Sequence, residues 1–320
     1  DLKAFYPGDV LVTGYDILFL WVSRMEVSGY HFMGERPFKT VLLHGLVLDE
    51  KGQKMSKSKG NVIDPLEMVE RYGADALRFA LTYLATGGQD IRLDLRWLEM
   101  ARNFANKLYN AARFVLLSRE GFQAKEDTPT LADRFMRSRL SQGVEEITAL
   151  YEALDLAQAA REVYELVWSE FCDWYLEAAK PALKAGNAHT LRTLEEVLAV
   201  LLKLLHPMMP FLTSELYQAL TGKEELALEA WPEPGGRDEE AERAFEALKQ
   251  AVTAVRALKA EAGLPPAQEV RVYLEGETAP VGENLEVFRF LARADLLPER
   301  PAKALVKAML TDIGQPSADV

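Results

Sequence analysis

The chain has 320 residues, of which 49% are hydrophobic and 27% charged, and its formal net charge is −12. This length allows two or three domains, and the composition is that of a globular protein rather than a disordered or membrane-spanning one. The acidic balance argues against nucleic acid as a partner of the whole chain, although a basic face can coexist with acidic helices.

Cys172 is the single cysteine, which excludes an internal disulfide and a cysteine-based zinc cage. The apolar run 17–22 is too short to span a bilayer. The chain begins at Asp1 without an initiator Met or a signal-peptide pattern. We therefore expect a cytoplasmic protein, or a piece of one, with no membrane partner.

Residues 1–94 have an α/β pattern. Asp9–Thr13 reads as a buried strand, Gly14 turns the chain into a helix over 15–29, and a second strand at Thr40–Leu43 follows. Strand, helix and strand in this order predict a parallel, doubly wound sheet. The segment has no GxGxxG and no P-loop, so neither dinucleotide binding nor Walker-type chemistry is indicated.

Two short helices and then a helical bundle are predicted next. Asp64 and a first-turn proline start a helix that ends at Gly73, and a second helix runs over 74–85. From about Leu95 to His206 apolar residues recur every three or four positions, which predicts an all-α bundle whose domain we place at 95–235. Asp155 and Gln158 have the spacing of a capping box.

Residues 236–320 predict a linker helix and a small α+β segment. After a Pro- and Gly-rich linker at 231–236 we expect a helix over 238–262, a strand at 269–274, a helix near 285–293 and an aperiodic tail over 314–320. The predicted fold class is thus a partial nucleotide-binding, Rossmann-type α/β half followed by an all-α bundle and this α+β segment.

Lys54–Ser58, with the letters KMSKS, is the most informative string in the chain. Its polar, glycine-bearing flanks predict a mobile surface loop. Lysine is a compact charge on a flexible stem, suited to phosphate charge that develops during a reaction. A lysine-rich loop that serves only solvation is the alternative.

The string matches the KMSKS signature of class I aminoacyl-tRNA synthetases, and several other segments resemble the valine branch of that class. Thr13–Leu18 with Trp21 is similar to its second adenylate-binding motif, and His44–Pro65 to its KMSKS neighbourhood. Asn106–Asn110 and Leu205–Pro207 resemble the anticodon-binding bundle of the valine, isoleucine and leucine enzymes. The resemblance covers roughly residues 1–300.

The resemblance implies a reaction in which valine is activated with ATP and then transferred to tRNA, with Mg²⁺ accompanying ATP and no protein-bound metal. Lys54 and Lys57 would be the catalytic charges on pyrophosphate. The remaining expected contacts to ATP or the adenylate are Gly14, Asp16, His44, Gly45, Met55, Ser56 and Ser58.

Asp16, His44 and the Ile17–Trp21 pair each have a second interpretation. Asp16 would hold a ribose hydroxyl or the substrate ammonium, or it is simply an N-terminal helix charge. His44 would lie beside adenosine, or it is structural. Ile17 and Trp21, four apart on one predicted helix face, would form the wall of a valine pocket, or they belong to the core.

The helix after residue 95 is the expected tRNA-binding element. Lys107, Asn110 and Phe114 share a predicted face, with Arg113 adjacent and Arg96 near the helix start. Basic side chains can contact phosphates while an aromatic ring stacks on an unpaired base. The alternative is a solvated face with Phe114 in the core. His206 is interpreted as structural.

The HIGH motif of this family is not found beside any of the four histidines. We therefore expect a C-terminal portion that lacks the HIGH half and the editing domain and is inactive alone. The alternatives are a non-catalytic tRNA-binding module, an isoleucine or leucine enzyme of the same subgroup, and a small adenylyltransferase. The helical bundle argues against the last.

Overall fold

The computed structural model describes residues 2–275 and 278–299 and the backbone of residues 307–308 and 317–319; the side chain of Lys57 is outside the described part. The α/β part comprises α1 (Leu2–Phe5), β1 (Gly8–Gly14), α2 (Ser23–Met33), β2 (Phe38–His44), β3 (Val47–Leu48), α3 (Pro65–Tyr72), α4 (Ala74–Leu84) and β4 (Ile91–Arg92).

The predicted parallel arrangement is confirmed. β1 and β2 pair in parallel from Gly8 opposite Phe38 to Gly14 opposite His44, so both strands end at the same edge. A second parallel pair, β3 with β4, was not predicted. Two residues per strand are too few to give a period-two pattern.

The predicted continuous helix over 15–29 is wrong in form. Tyr15–Ile17 is a 3₁₀ turn, Leu18–Val22 is π-helical, and the regular α-helix α2 continues to Met33. Gly29 does not stop the helix, because it is there for packing: a Cβ would lie 2.7 Å from the Tyr6 hydroxyl. Gly34, with φ of 75°, ends it instead.

The all-α bundle is confirmed. Its elements are α5 (Leu95–Arg119), α6 (Leu131–Glu152), α7 (Leu156–Glu165), a π-helical segment (Leu166–Tyr175), α8 (Leu176–Ala185), α9 (Ala188–Leu205) and α10 (Pro210–Thr221). Asp155 does cap α7 through the Gln158 N–H at 3.1 Å, but the Gln158 side chain donates to Glu162, so the box is not reciprocal.

The C-terminal α+β segment is also confirmed. It comprises α11 (Glu239–Glu261), β5 (Val270–Glu275), α12 (Ala279–Glu283), α13 (Leu285–Ala292), β6 (Ala294–Leu296), β7 (Lys307–Ala308) and β8 (Ser317–Asp319). Within the predicted tail, β8 pairs antiparallel with β5, while 314–316 and 320 lie outside the described residues. The linker at 231–236 is anchored, since Ser141 donates to the Gly235 carbonyl at 2.7 Å.

One buried core runs through all three parts. Phe79 of α4 packs on Phe104 of α5 with ring centroids 4.9 Å apart, and Phe135 of α6 stacks on Phe245 of α11 at 4.2 Å. Burying each such ring contributes about 1.5–3 kcal/mol. The domain boundaries at 94/95 and 235/236 stay predictions. No helix in the described part of the chain is long and apolar enough to cross a membrane.

Helix α4 also holds the turn between α9 and α10 through two oppositely charged side chains. The Asp75 carboxylate accepts the N–H groups of Phe211 and Leu212, at 3.3 and 2.6 Å, and so caps α10 from another helix. Arg78, one turn later, donates to the carbonyls of Pro207 and Met208. Each charge has the sign that the nearby helix end favours.

Candidate functional site

The carboxyl ends of β1 and β2 bring the predicted adenylate residues together. Gly14 and His44 are register partners. Gly14 has an ordinary extended conformation, and a Cβ there would lie 2.8 Å from Asp16 Oδ1, the movable end of a side chain. The exposed Asp16 carboxylate is therefore folded back over the strand end, next to His44.

His44 is exposed. Its Nδ1 lies 2.8 Å from the Gly45 carbonyl, which can only accept, so Nδ1 is the donor in this contact, and in the neutral ring Nε2 is then an acceptor. Gly45 tolerates no side chain, since a Cβ would lie 1.8 Å from the Gln89 carbonyl oxygen. The chain after β2 is thus pressed against the residues before β4.

Asp90 fixes this junction and was not singled out in the sequence. Its carboxylate accepts the Leu46 N–H at 2.8 Å and the Tyr15 hydroxyl at 3.4 Å. The negative charge of Asp90 raises the pKa of Tyr15. Asp90 therefore ties the end of β1 to the strand that leads into the lysine loop.

Ile17 and Trp21 lie on the surface. Their exposed fractions are 37% and 40%, so the alternative that they are core residues is wrong for this chain. The expectation of one α-helical face is also wrong, because Ile17 ends the 3₁₀ turn and Trp21 lies in the π-helical segment. Their part in a valine pocket stays a prediction.

The KMSKS loop is more ordered than the predicted mobile loop. Lys54 pairs its backbone with Leu48 of β3, and Asn61 donates to Asp49 at 2.8 Å across the base of the loop. This bond is the main reason why the pKa of Asp49 is lowered. Asp and Asn at loop ends are the signal that identifies such residues, since both bond to backbone groups in turns.

The residues inside the loop present hydroxyls and charge. The Ser56 and Ser58 hydroxyls lie 3.2 Å apart, and Met55 is half-buried. Lys54 is exposed, and within the described part of the chain no carboxylate pairs with it. Its ammonium is therefore available to an anionic ligand. For Lys57 the backbone is described, in the turn Lys57–Lys59, but the side-chain expectation lies outside the described residues.

Beside His44 lies an apolar cavity of about 770 Å³, between the sheet and helices α4 and α7. Val12, Leu42 and Leu81 are among its lining residues, and Arg161 is its one charged cation. Arg161 already donates to the Tyr83 carbonyl at 3.2 Å. The groups suited to phosphate are on the loop, not in this cavity.

Two of the predicted tRNA-binding cations on α5 have internal partners. Lys107 pairs with Asp173 at 2.5 Å and lies 3.7 Å from the centroid of the Trp168 ring, so its charge already has a partner within the chain. Its part in tRNA binding stays a prediction. Arg96 pairs with Asp94 but keeps its side chain 87% exposed. Asn110 and Arg113 are exposed.

Phe114 is half-buried, so it is neither the fully exposed stacking residue nor the core residue that the two predictions describe. It packs against the buried core and also lines a cavity of about 460 Å³ at the end of the bundle. Lys125, Lys180 and Lys184 line the same cavity, and the Lys180 ammonium lies 5.6 Å from the Phe114 ring centroid. The lysine pair at i and i+4 in α8 was the sequence signal for this cluster.

His206 is structural, as interpreted from the sequence. Its Nδ1 lies 2.8 Å from the Thr213 hydroxyl, and burial lowers its pKa while Asp75 opposes that shift. Among residues 2–275 and 278–299, no group of three or more His, Cys, Asp or Glu side chains is placed to hold a metal ion.

Two family models match the chain. Residues 1–94 match "tRNA synthetases class I (I, L, M and V)", and residues 133–274 match "Anticodon-binding domain of tRNA ligase". A parallel α/β half with KMSKS beyond its strand ends, followed by a helical bundle, thus defines a class I aminoacyl-tRNA synthetase. Among curated proteins the chain is 99% identical over 309 residues to a valine–tRNA ligase of Thermus thermophilus and 48% identical over 340 residues to one of Deinococcus radiodurans. The chain belongs to the valine–tRNA ligase family.

The matched regions cover 97% and 95% of this chain but only 36% and 37% of those two relatives. Solved structures support the same fold. A LeuRS–tRNA–LeuAMS complex from Agrobacterium radiobacter K84 gives a TM-score of 0.58 at 24% identity, covering 74% of this chain and 29% of that one. A methionyl-tRNA synthetase of Mycobacterium tuberculosis with methionyl-adenylate gives 0.59 at 22%, covering 73% and 50%.

Proposed function

We propose that this chain is the KMSKS and anticodon-bundle portion of a cytoplasmic valine–tRNA ligase. In the parent reaction a carboxylate oxygen of valine attacks the α-phosphorus of ATP, the bond to the β-phosphate oxygen breaks, and pyrophosphate leaves. A hydroxyl of tRNA then attacks the carbonyl carbon of the valyl-adenylate, the bond from that carbon to the phosphate oxygen breaks, and AMP leaves. The observation that carries this proposal is the ordered KMSKS loop attached through β3 to the strand end that bears His44.

The charges of the loop would act on the leaving group. Negative charge builds on pyrophosphate as the bond breaks, and Lys54 and Lys57 would stabilise it there. Met55 would support the loop from its half-buried position, and the Ser56 and Ser58 hydroxyls would bond to phosphate oxygens. Mg²⁺ would arrive bound to the phosphates of ATP.

The strand ends would hold the adenosine and valine moieties. At Gly14 only side chains, with Asp16 Oδ1 nearest, fill the place of a Cβ, so a ligand that displaces Asp16 would reach the backbone there. Gly45 would contribute by letting the strand end pack against Gln89. His44 Nε2, in the neutral ring, would accept a hydrogen bond from a ribose hydroxyl, and Asp16 would hold a second hydroxyl or the valine ammonium. Ile17 and Trp21, exposed on the segment behind Asp16, would contact the isopropyl group.

The lysine-lined cavity at the end of the bundle would bind the tRNA anticodon loop. Phe114 lines this cavity together with three lysines, and Asn110 and Arg113 are exposed on the same helix. The Lys180 ammonium lies over the Phe114 ring and pairs with Glu177, so a base that stacks on the ring would displace it. Stacking of a base on an aromatic ring combined with phosphate contacts is how single-stranded loops are bound. Arg96 would add an outlying contact, whereas Lys107 would act indirectly by fixing the π-helical segment.

Pyrophosphate exchange tests the proposal. In the full-length Thermus thermophilus relative, changing the residue that matches Lys57 to Ala should lower valine-dependent exchange by roughly two to four orders of magnitude. The 320-residue chain alone should show no exchange and still bind tRNA. A Lys57→Ala effect below tenfold, or robust exchange by the chain alone, would overturn the proposal.

A further inference from the structure

Asp49 and Asn61 bond to each other and to three backbone amides of the KMSKS loop. Asp49 Oδ1 accepts the N–H groups of Lys51 and Gln53 at 3.0 and 2.7 Å, and Asp49 Oδ2 accepts Asn61 Nδ2 at 2.8 Å. Asn61 Oδ1 in turn accepts the Ser56 N–H at 2.9 Å. Both side chains are half-buried. We call this pair the Asp49–Asn61 bracket.

The bracket joins the start of the loop to its end. Asp49 follows β3 directly and fixes the turn before Lys54, while Asn61 fixes Ser56, inside the signature itself. A glycine-bearing, lysine-rich loop without such bonds would lose conformational entropy on every encounter with ATP. Hydrogen bonds to the charged Asp49 reduce that loss before the ligand arrives.

The bonding pattern has a fixed polarity. Asp49 supplies only acceptors, whereas Asn61 supplies an acceptor to Ser56 and a donor to Asp49. In Asp49→Asn alone, an amide NH₂ group at position 49 faces the amide NH₂ group of Asn61. In Asn61→Asp alone, two carboxylates face each other across the same contact. Exchanging the two residues again puts a donor opposite an acceptor and keeps the three bonds from backbone N–H groups. It loses only the long 3.4 Å bond from Asn61 Nδ2 to the Lys54 carbonyl.

We propose that the Asp49–Asn61 bracket holds the KMSKS loop in the conformation from which Lys54 and Lys57 meet the leaving pyrophosphate. Both residues are then positioning residues for amino-acid activation. This role rests on the proposed function, whereas the ordering of the loop by the bracket does not.

The ordering is tested on the 320-residue chain by limited trypsin digestion at pH 8, with cleavage after Lys51, Lys54, Lys57 and Lys59 followed by mass spectrometry. Asp49→Asn and Asn61→Asp should each speed cleavage in the loop about tenfold, the scale of one lost hydrogen bond to a charged group. The double exchange should return to within about threefold of the parent. Asp64→Asn, at a nearby helix cap, is the matched control and should cleave like the parent.

Cleavage after Lys259, which is 2% exposed within α11, reports on general unfolding and should be unchanged in every variant. Single variants cleaved at the parental rate, a double exchange no better than its components, or equal acceleration at Lys259 would each overturn the ordering role.

The positioning role is tested by the same substitutions in the full-length Thermus thermophilus relative. Each single variant should lower kcat for pyrophosphate exchange by about ten- to a hundredfold, with KM for valine unchanged, and the double exchange should recover most of it. Parental kcat in the single variants, measured beside an impaired Lys57→Ala, would overturn the positioning role. An unimpaired Lys57→Ala would refute the function and the positioning role together, and trypsin digestion would still decide whether the bracket orders the loop.

Discussion

Replacing Phe114 separates an RNA-stacking residue from a packing residue. The ring is half-buried against the core and half open to the lysine-lined cavity. Truncating a fully buried Phe costs about 3–5 kcal/mol, so Phe114→Ala should cost about 2 kcal/mol. At about 2–4 °C per kcal/mol, Tm should fall by about 4–8 °C while the chain remains folded.

Stacking adds a second, independent loss. A base stacked on an aromatic side chain is worth about 1–3 kcal/mol, so Phe114→Ala should weaken binding of a valine-accepting tRNA about ten- to a hundredfold. Phe114→Leu should restore most of the stability but little of the affinity, because leucine fills space without a π-face.

Binding is measured by fluorescence titration at several salt concentrations, with folding followed by circular dichroism. Leu116→Ala is the matched control, since Leu116 packs on the same core but does not line the cavity. It should lower Tm and leave affinity unchanged. If Phe114→Leu binds tRNA like the parent, or Leu116→Ala binds as weakly as Phe114→Ala, the ring does not stack and the tRNA surface lies elsewhere.

Three further outcomes are expected. In the full-length relative, Trp21→Ala should raise KM for valine about tenfold or more in pyrophosphate exchange and leave KM for ATP nearly unchanged, as expected for a lost apolar wall; equal loss for both substrates would refute the pocket. Asp75→Ala removes the acceptor of two backbone N–H groups and should lower the free energy of unfolding, measured in urea titrations, by about 2–3 kcal/mol. Asp64 caps a single N–H group, so Asp64→Ala should lower it by only about 1 kcal/mol. Equal effects of the two substitutions would refute capping between helices. Burial lowers the pKa of His206, so this residue binds a proton more readily in the unfolded chain than in the folded one. The contribution of His206 to stability is therefore complete above pH 6.5 and is lost as pH falls toward the folded pKa. His206→Asn should make the fall of Tm between pH 7.5 and 5.5 less steep, and an unchanged slope would contradict this.

Patterns that repeat within one element were predictable from the sequence. The strands ending at Gly14 and His44 and the caps at Asp64 and Asp155 follow from apolar runs and from short polar side chains. These features depend on neighbours within a few positions, which the sequence displays directly.

Features that depend on distant partners were not predictable. The sequence identifies Lys107 as a basic residue on a helix face, but only the fold brings Asp173 to it from 66 positions away. The helix was predicted to end at Gly29, and nothing local in the sequence reveals the Tyr6 hydroxyl that packs beside this glycine. The π-helical turns at Leu18–Val22 likewise have no periodic signature of their own.

Helix α5 sets a fixed distance between the KMSKS part of the molecule and Phe114. It begins directly after β4, the partner of the strand that leads into the KMSKS loop, and runs unbroken past Phe114. From Leu95 to Phe114 a rise of 1.5 Å per residue spans about 29 Å. A nucleotide is several times shorter than this, so only a ligand of macromolecular size can occupy both ends at once. The length of α5 thereby distinguishes long ligands from short ones, and this selection does not depend on any contact to a base or a phosphate.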